Sequence, residues 1–300
     1  MHILLTGGTG LIGRRLCRYW LTQGHSLTVL SRRPQHVARL CGASVRGISD
    51  LQELGQDKVE AVINLAGEPI ADRPWTSKRR GSLWASRITL TERLVAWLES
   101  RELKPRVLVS GSAVGWYGDG GERELNEQSQ PVREDFASRL CVAWEETAQR
   151  AEACGVRVVL VRTGLVLASE GGFLQRLKLP FKLGLGGPIG DGRQWMPWIH
   201  IEDQIALIDF LLLRDDASGP YNACAPSPVR NHDFAKCFGK ALHRPAFLPL
   251  PGLVLRIGLG EMAGLLLGGQ RARPIRLQEA GFTFRFNDVQ TALDDISTRL

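Results

Sequence analysis

The sequence predicts an α/β fold, a doubly wound parallel sheet with a smaller C-terminal lobe, on three observations. Apolar runs of strand length alternate with helix-length periodic segments from the first residues to about Thr163. A glycine-rich turn joins the first run to the first helical segment. Beyond Thr163 the alternation gives way to Gly/Pro-rich loops such as GLGGPIGDGRQWMPW and to shorter helical stretches. With 300 residues and 44% apolar content, the chain can build one large domain or a domain with a lobe.

The elements follow in order. HILLTG reads as the first strand, residues 11–23 as an amphipathic helix and SLTVLS as the second strand. AVINLAG is a further strand, and residues 78–100 carry a long helical period. RVLVSGS, a helix over 132–153 and VRVVLVRTG complete the series, whose crossovers should be right-handed. MPWIHIEDQIALIDFLL again reads as strand then helix and is expected to return to the sheet. Residues 1–165, completed by about 196–225, are therefore expected to form the larger domain. Residues 166–195 and 226–300 are expected to form the smaller substrate-binding lobe.

In HILLTGGTGLIGRRL the glycines Gly7, Gly10 and Gly13 fall between strand and helix. Such a turn binds a dinucleotide: Gly7 permits the tight turn, Gly10 lets backbone approach a pyrophosphate, and Gly13 lets helix pack on strand. Thr9, Leu11 and Ile12 complete the same turn, whose helix N-terminus attracts negative charge. The larger domain is thus Rossmann-like. At the end of the second strand, where an NAD enzyme usually carries a carboxylate, the chain has Ser31, Arg32 and Arg33. Arg32 suits a 2′-phosphate, so NADP(H) is the expected cofactor; the alternative is that the two arginines simply solvate a strand end. Asn64-Leu65-Ala66-Gly67 close the next strand with small residues against which adenosine can lie.

Composition narrows the classes further. The formal net charge is +7 with pI about 9.3, but the basic residues are scattered and no nucleic-acid partner is expected. The six cysteines form no C-x-x-C pair and no cluster with histidine, so neither a disulfide framework nor a metal site is expected. There is no cationic and apolar leader, which points to the cytoplasm. The stretches QIALIDFLLL and PGLVLRIGLGEMAGLLLGG are interrupted by charges, so they read as packed helices and no membrane partner is expected.

With TGGTGLIG, NLAG, SGSAVGWYG, LVRTGLVL and WIHIED in this order, roughly residues 1–225 resemble the extended short-chain dehydrogenase/reductases, in their NAD-dependent epimerase/dehydratase branch. NLAGEPI, CVAWEE, FKLGLGGPIGDGRQWMPWIHIED and GFTFRFNDVQTAL are similar to an atypical subfamily labelled nucleoside-diphosphate-sugar epimerase. That subfamily has a C-terminal domain of unassigned function, here about 247–296. The resemblance implies a small-molecule substrate of the sugar-nucleotide kind. It also suggests a homodimer built on the helices 78–100 and 132–153.

Working members of the superfamily use a Tyr as general acid/base with a Lys four residues later. This chain has no Tyr-x-x-x-Lys: Gln23, Gly121 and Ala225 follow its three tyrosines at that spacing. Alignment on Glu145 places Ala137 at the Tyr position and Cys141 at the Lys position. Cys141 reads as a buried thiol in preference to a nucleophile. Ser110 and Ser112 end the strand where the superfamily keeps a hydroxyl for the substrate oxygen, and Ser112 is the candidate. Tyr117, on the following loop, is either a substitute proton donor or an aromatic lining the pocket. His200 is either a base or an architectural residue before a helix. Arg87 is expected near the cofactor phosphates, and Val166, in LVRTGLVL, beside the cofactor. Arg193, Trp195 and Trp198 belong to a loop that could lid a pocket. The functional expectation is an NADP(H)-dependent oxidoreductase or epimerase-like enzyme; the alternative is an NADP(H)-binding sensor that has lost catalysis.

Overall fold

The computed structural model describes residues 1–300. Seven strands form its main sheet: β1 (His2–Thr6), β2 (Ser26–Leu30), β3 (Arg46–Ile48), β4 (Ala61–Asn64), β5 (Val107–Ala113), β6 (Arg157–Thr163) and β7 (Gly219–Ala223). Their order is β7-β6-β5-β4-β1-β2-β3, and every pairing is parallel. The chain walks outward from β1 to β3 and then jumps back to β4, so the winding reverses between β1 and β4. Ligands of open α/β sheets bind outside such a reversal. Thr6 is in register with Asn64, which brings the glycine turn and residues 65–67 out side by side at the carboxyl edge.

The helices are α1 (Leu11–Thr22), α2 (Val37–Cys41), α3 (Ser77–Trp84), α4 (Leu90–Ser100), α5 (Phe136–Gln149), α6 (Gly172–Lys182), α7 (Ile201–Leu213), α8 (Asn231–Ala241), α9 (Gly252–Leu259), α10 (Gly264–Leu267), α11 (Ile275–Glu279) and α12 (Val289–Ser297). Side chains alternate across each strand, so Ile3, Leu5, Val109 and Val161 pack under α1 and α7. Leu4, Val62, Leu108 and Leu160 pack against Leu94 and Leu98 of α4 on the other face. Burial on both faces explains the almost unbroken apolar strands. Each such side chain contributes about 1.5–3 kcal/mol relative to exposure.

Several boundaries differ from the sequence reading. The helix expected over 78–100 is α3 and α4 joined by a π turn at Ala85–Thr89. The helix expected from 132 begins only at Phe136, where the Asp135 carboxylate accepts from Ser138 N at 2.8 Å. Two short elements, α2 and β3, carry too few residues to show a period. The strand in MPWIHIED does not rejoin the main sheet: Trp198–His200 pairs with Leu165–Leu167 instead. The return is made by β7, after α7 has packed onto the sheet.

A separate core forms around Phe181, Trp198, Phe234, Phe238 and Leu293. It is tied to α7 by the buried Asp203 carboxylate, which accepts from Arg285 N at 2.8 Å and Phe286 N at 3.0 Å. No helix is long and apolar enough to cross a membrane. All six cysteines are unpaired thiols.

Candidate active site and cofactor cleft

Backbone geometry at the β1–α1 turn explains its glycines. Gly7 has φ +71°, and a Cβ there would lie 2.6 Å from the Leu65 carbonyl, so only glycine lets β1 and β4 deliver their loops together. A Cβ at Gly13 would meet Gly7 O at 2.4 Å. At Gly10 it would meet only Gly7 O, at 3.2 Å, and otherwise point into open space. No side chain caps α1, and its first turn has no acidic residue. Its first N–H groups therefore face the cleft unpaired by the helix, with the positive end of the dipole behind them. An anion is the partner that such a terminus favours.

The surrounding expected residues converge on this turn. Val166 O and a Leu11 side-chain methyl both lie against Gly172, at 3.5 and 3.2 Å from where its Cβ would be. Thr9 and Ile12 are partly buried at the same end of α1. Ser31 directly follows β2, where its Oγ accepts from Arg33 N at 3.1 Å. Arg32 is 90% exposed, and its one charged neighbour is Glu68 at 3.5 Å. Leu65 and Ala66 follow β4, with Ala66 N donating to Thr6 Oγ1 at 3.1 Å.

Arg87 sits in the π turn. Its guanidinium lies so close to Gly67 that a Cβ there would be 2.8 Å from Cζ, and its Nη2 donates to Glu68 O at 3.0 Å. Burial lowers its pKa, since no carboxylate touches it. Arg79, which the sequence reading passed over, holds the same loop by pairing with Glu68 and by bonding Asp72 at 2.7 Å.

The face of α5 opposite β5 is apolar where an acid/base pair would stand. Ala137 and Cys141 are buried, and burial pushes the Cys141 thiol up to about 12, so it stays protonated. Ser112, at the end of β5, donates to Glu145 Oε1 at 2.6 Å. Glu145 also accepts Arg162 through two bonds, Nε–Oε1 at 2.9 Å and Nη2–Oε2 at 2.8 Å. Both members of this pair are buried. Arg162 Nη1 in turn donates to the Tyr117 oxygen at 3.1 Å, and its guanidinium lies 3.6 Å from the Trp116 ring centroid. One sequence signal marked this node: an arginine inside the otherwise apolar strand VRVVLVRTG.

Tyr117 does not fit the expected proton donor. Its side chain has zero exposure, and its oxygen lies 2.8 Å from both Asn126 O and Asn222 Oδ1. Burial pushes its pKa up to about 12 despite the neighbouring Arg162. The phenol joins the loop after β5 to β7 and faces no open cleft. His200 is likewise architectural: its Nδ1 accepts from Glu202 N at 3.1 Å as the cap of α7, and burial lowers its pKa to about 4. The expected lid aromatics are also engaged. Trp198 is fully buried, and the Trp195 ring centroid lies 4.4 Å from the Arg230 guanidinium and 4.9 Å from that of Arg271.

The NAD dependent epimerase/dehydratase family profile matches residues 3–224. A domain of unknown function, DUF1731, matches residues 250–296. The epimerase family protein YfhF of Bacillus subtilis is 37% identical over 99% of this chain and 98% of its own. The crystal structure of human epimerase family protein SDR39U1 (isoform 2) with NADPH is 34% identical, with a TM-score of 0.89 over all of both chains. The UDP-glucuronic acid 4-epimerase of Bacillus cereus, solved with UDP-glucuronic acid and NAD, shares the fold at a TM-score of 0.80 and 16% identity over 100% of this chain and 98% of its own.

Proposed function

The chain belongs to the NAD dependent epimerase/dehydratase family, and from that premise we propose that it is an NADP(H)-dependent oxidoreductase or epimerase-like enzyme working without a Tyr-x-x-x-Lys pair. The observation that carries this reading is the uncapped N-terminus of α1 beside the open position at Gly10, with the exposed Arg32 nearby. These residues fit a dinucleotide with a 2′-phosphate. Gly7, Thr9, Gly10, Leu11, Ile12 and Gly13 would cradle its pyrophosphate, Ser31 and Arg32 its 2′-phosphate, and Leu65, Ala66 and Gly67 its adenosine. Arg87 and Val166 would line the remaining length. When bound, the cofactor supplies or accepts a hydride. In the cytoplasm both of its redox forms are at hand.

The chain's own contribution at the reacting end is Ser112. Because its hydroxyl donates to Glu145, only its lone pairs remain free, and it accepts a hydrogen bond from a substrate hydroxyl. Arg162 holds Glu145 in place, and Tyr117 braces Arg162; both act as positioning residues. Residues 166–195 and 226–300 form the substrate lobe, which takes a small molecule of the sugar-nucleotide kind. Residues 1–165 with 196–225 form the cofactor domain, and two copies assemble through the α3–α4 segment and α5.

The apolar Ala137 and protonated Cys141, where an acid/base pair would stand on α5, favour a second reading, an NADP(H)-binding sensor without turnover. Calorimetry tests the shared part: NADPH should bind more tightly than NADH, and Arg32→Asp should weaken NADPH at least tenfold, the effect of one charge-assisted contact. Equal affinities would overturn the cofactor assignment. Net oxidation of NADPH by carbonyl substrates, or conversion of a sugar nucleotide into its epimer without net cofactor oxidation, separates the readings, since the sensor shows neither.

A further inference from the structure

Charge and exposed apolar surface coincide in one region outside the cleft. Residues 171–190 and 234–260 contain seven Lys and Arg and no Asp or Glu. The whole chain is +7, so the remainder carries 31 charges of each sign and is neutral. The same two segments hold nine of the thirteen large hydrophobic side chains that are exposed.

These segments lie against each other. Arg244 Nε donates to Lys182 O at 3.0 Å, Leu248 N to Gly186 O at 3.1 Å and Leu250 N to Pro188 O at 2.8 Å. Leu179 on α6, Leu183 just after it and Phe247 on the adjoining strip are all exposed. The strip leads directly into α9, on which Leu255 alone is buried while Leu253, Val254 and Ile257 are 67%, 56% and 79% exposed. Lys178 and Arg256 make no ion pair, Arg244 bonds carbonyl oxygens, and Lys182 bonds Leu300 O at 3.0 Å. Apolar residues bordered by unpaired cations are uncommon on a surface that has only water to face.

We propose that this face, α9 with the end of α6 and the strip 244–250, docks on the surface of an anionic lipid bilayer. A second copy of the chain fits poorly, because a two-fold contact would set Lys178, Lys182, Arg244 and Arg256 against the same cations of its mate. A bilayer with anionic headgroups satisfies both features: the aliphatic side chains enter the acyl boundary and the cations meet the headgroup phosphates. No spanning helix is needed, so the contact is peripheral and reversible. The expectation of no membrane partner rested on the lack of a span, which a peripheral contact does not require.

Vesicle co-sedimentation tests this on the full chain. The protein should pellet with phosphatidylcholine vesicles containing phosphatidylglycerol and much less with phosphatidylcholine alone, and salt should release it. L253D/I257D should lower the bound fraction at least tenfold, as should K178Q/K182Q/R256Q at low salt. Leu253, Ile257, Lys182 and Arg256 are exposed and Lys178 is half-buried on the rim of α6, so both variants should keep the parent's circular dichroism, and L253D/I257D its thermal midpoint. The proposal is overturned if the parent stays in the supernatant with anionic vesicles. It is equally overturned if the parent forms a dimer in light scattering that L253D/I257D abolishes without vesicle binding, which would make a second copy the occupant. Neither readout involves NADPH, so failure here leaves the cofactor reading untouched.

Discussion

Tyr117 and Ser112 stand a few residues apart on one segment, yet their environments give them different work. The Tyr117 hydroxyl is surrounded by Asn126, Asn222 and Arg162, all inside the protein. Tyr117→Phe should therefore cost about 1–3 kcal/mol of stability, because buried polar partners lose their mate. NADPH affinity should not change. Urea unfolding alongside calorimetry checks both, and a fully stable variant with lost turnover would restore the phenol to catalysis. The Ser112 hydroxyl reaches the strand end, where its direction of donation is set by Glu145. Its residue type was legible in SGSAVGWYG, but its polarity was not, since Glu145 reaches it from a helix 33 positions on.

At the scale of elements, the β1–α1 turn separates two uses of glycine. Gly10→Val should leave a folded protein that no longer binds NADPH, because its side chain enters open space in the path of the pyrophosphate. Gly7→Val should instead lower the melting temperature markedly: it combines φ +71° with a collision against the Leu65 carbonyl. Calorimetry and thermal unfolding distinguish the two. Equal stability loss at both sites would mean that Gly10 is structural. The turn itself was readable because a strand, a glycine spacing and a helix are local features. The π turn that carries Arg87 was not readable, because an added residue in a helical turn leaves no mark on a 3.6-residue period.

On the scale of the whole molecule, the lobe is held to the sheet domain by α7 and the groups around its start. His200 is buried against Phe286, with ring centroids 3.9 Å apart, and its Nε2 is 3.3 Å from Asp295 Oδ2. Its pKa is lowered from 6.5 to about 4, chiefly by burial. Above pH ~6.5 the imidazole is neutral in both states and has no effect on stability. As pH falls toward ~4 the unfolded chain takes up a proton that the folded chain refuses, so stability drops with acid, by about 3 kcal/mol at most. The melting temperature should fall between pH 6.5 and 4, and His200→Gln should flatten that part of the curve. An unchanged slope in the variant would assign the acid sensitivity to other groups, such as the paired carboxylates.

The sequence by itself determined the larger domain's class, the position of its dinucleotide turn and the loss of the Tyr/Lys pair, because strand and helix periods and short motifs are written in neighbouring residues. Only the tertiary structure decided that Trp198–His200 leaves the main sheet, that β7 completes it, and that Arg162, Glu145 and Ser112 form one buried node. It also decided that α9, read as a packed helix, turns Leu253 and Ile257 outward. Each of these depends on partners far apart in the chain. A period reports that a segment has an apolar face, and packing alone chooses what that face meets.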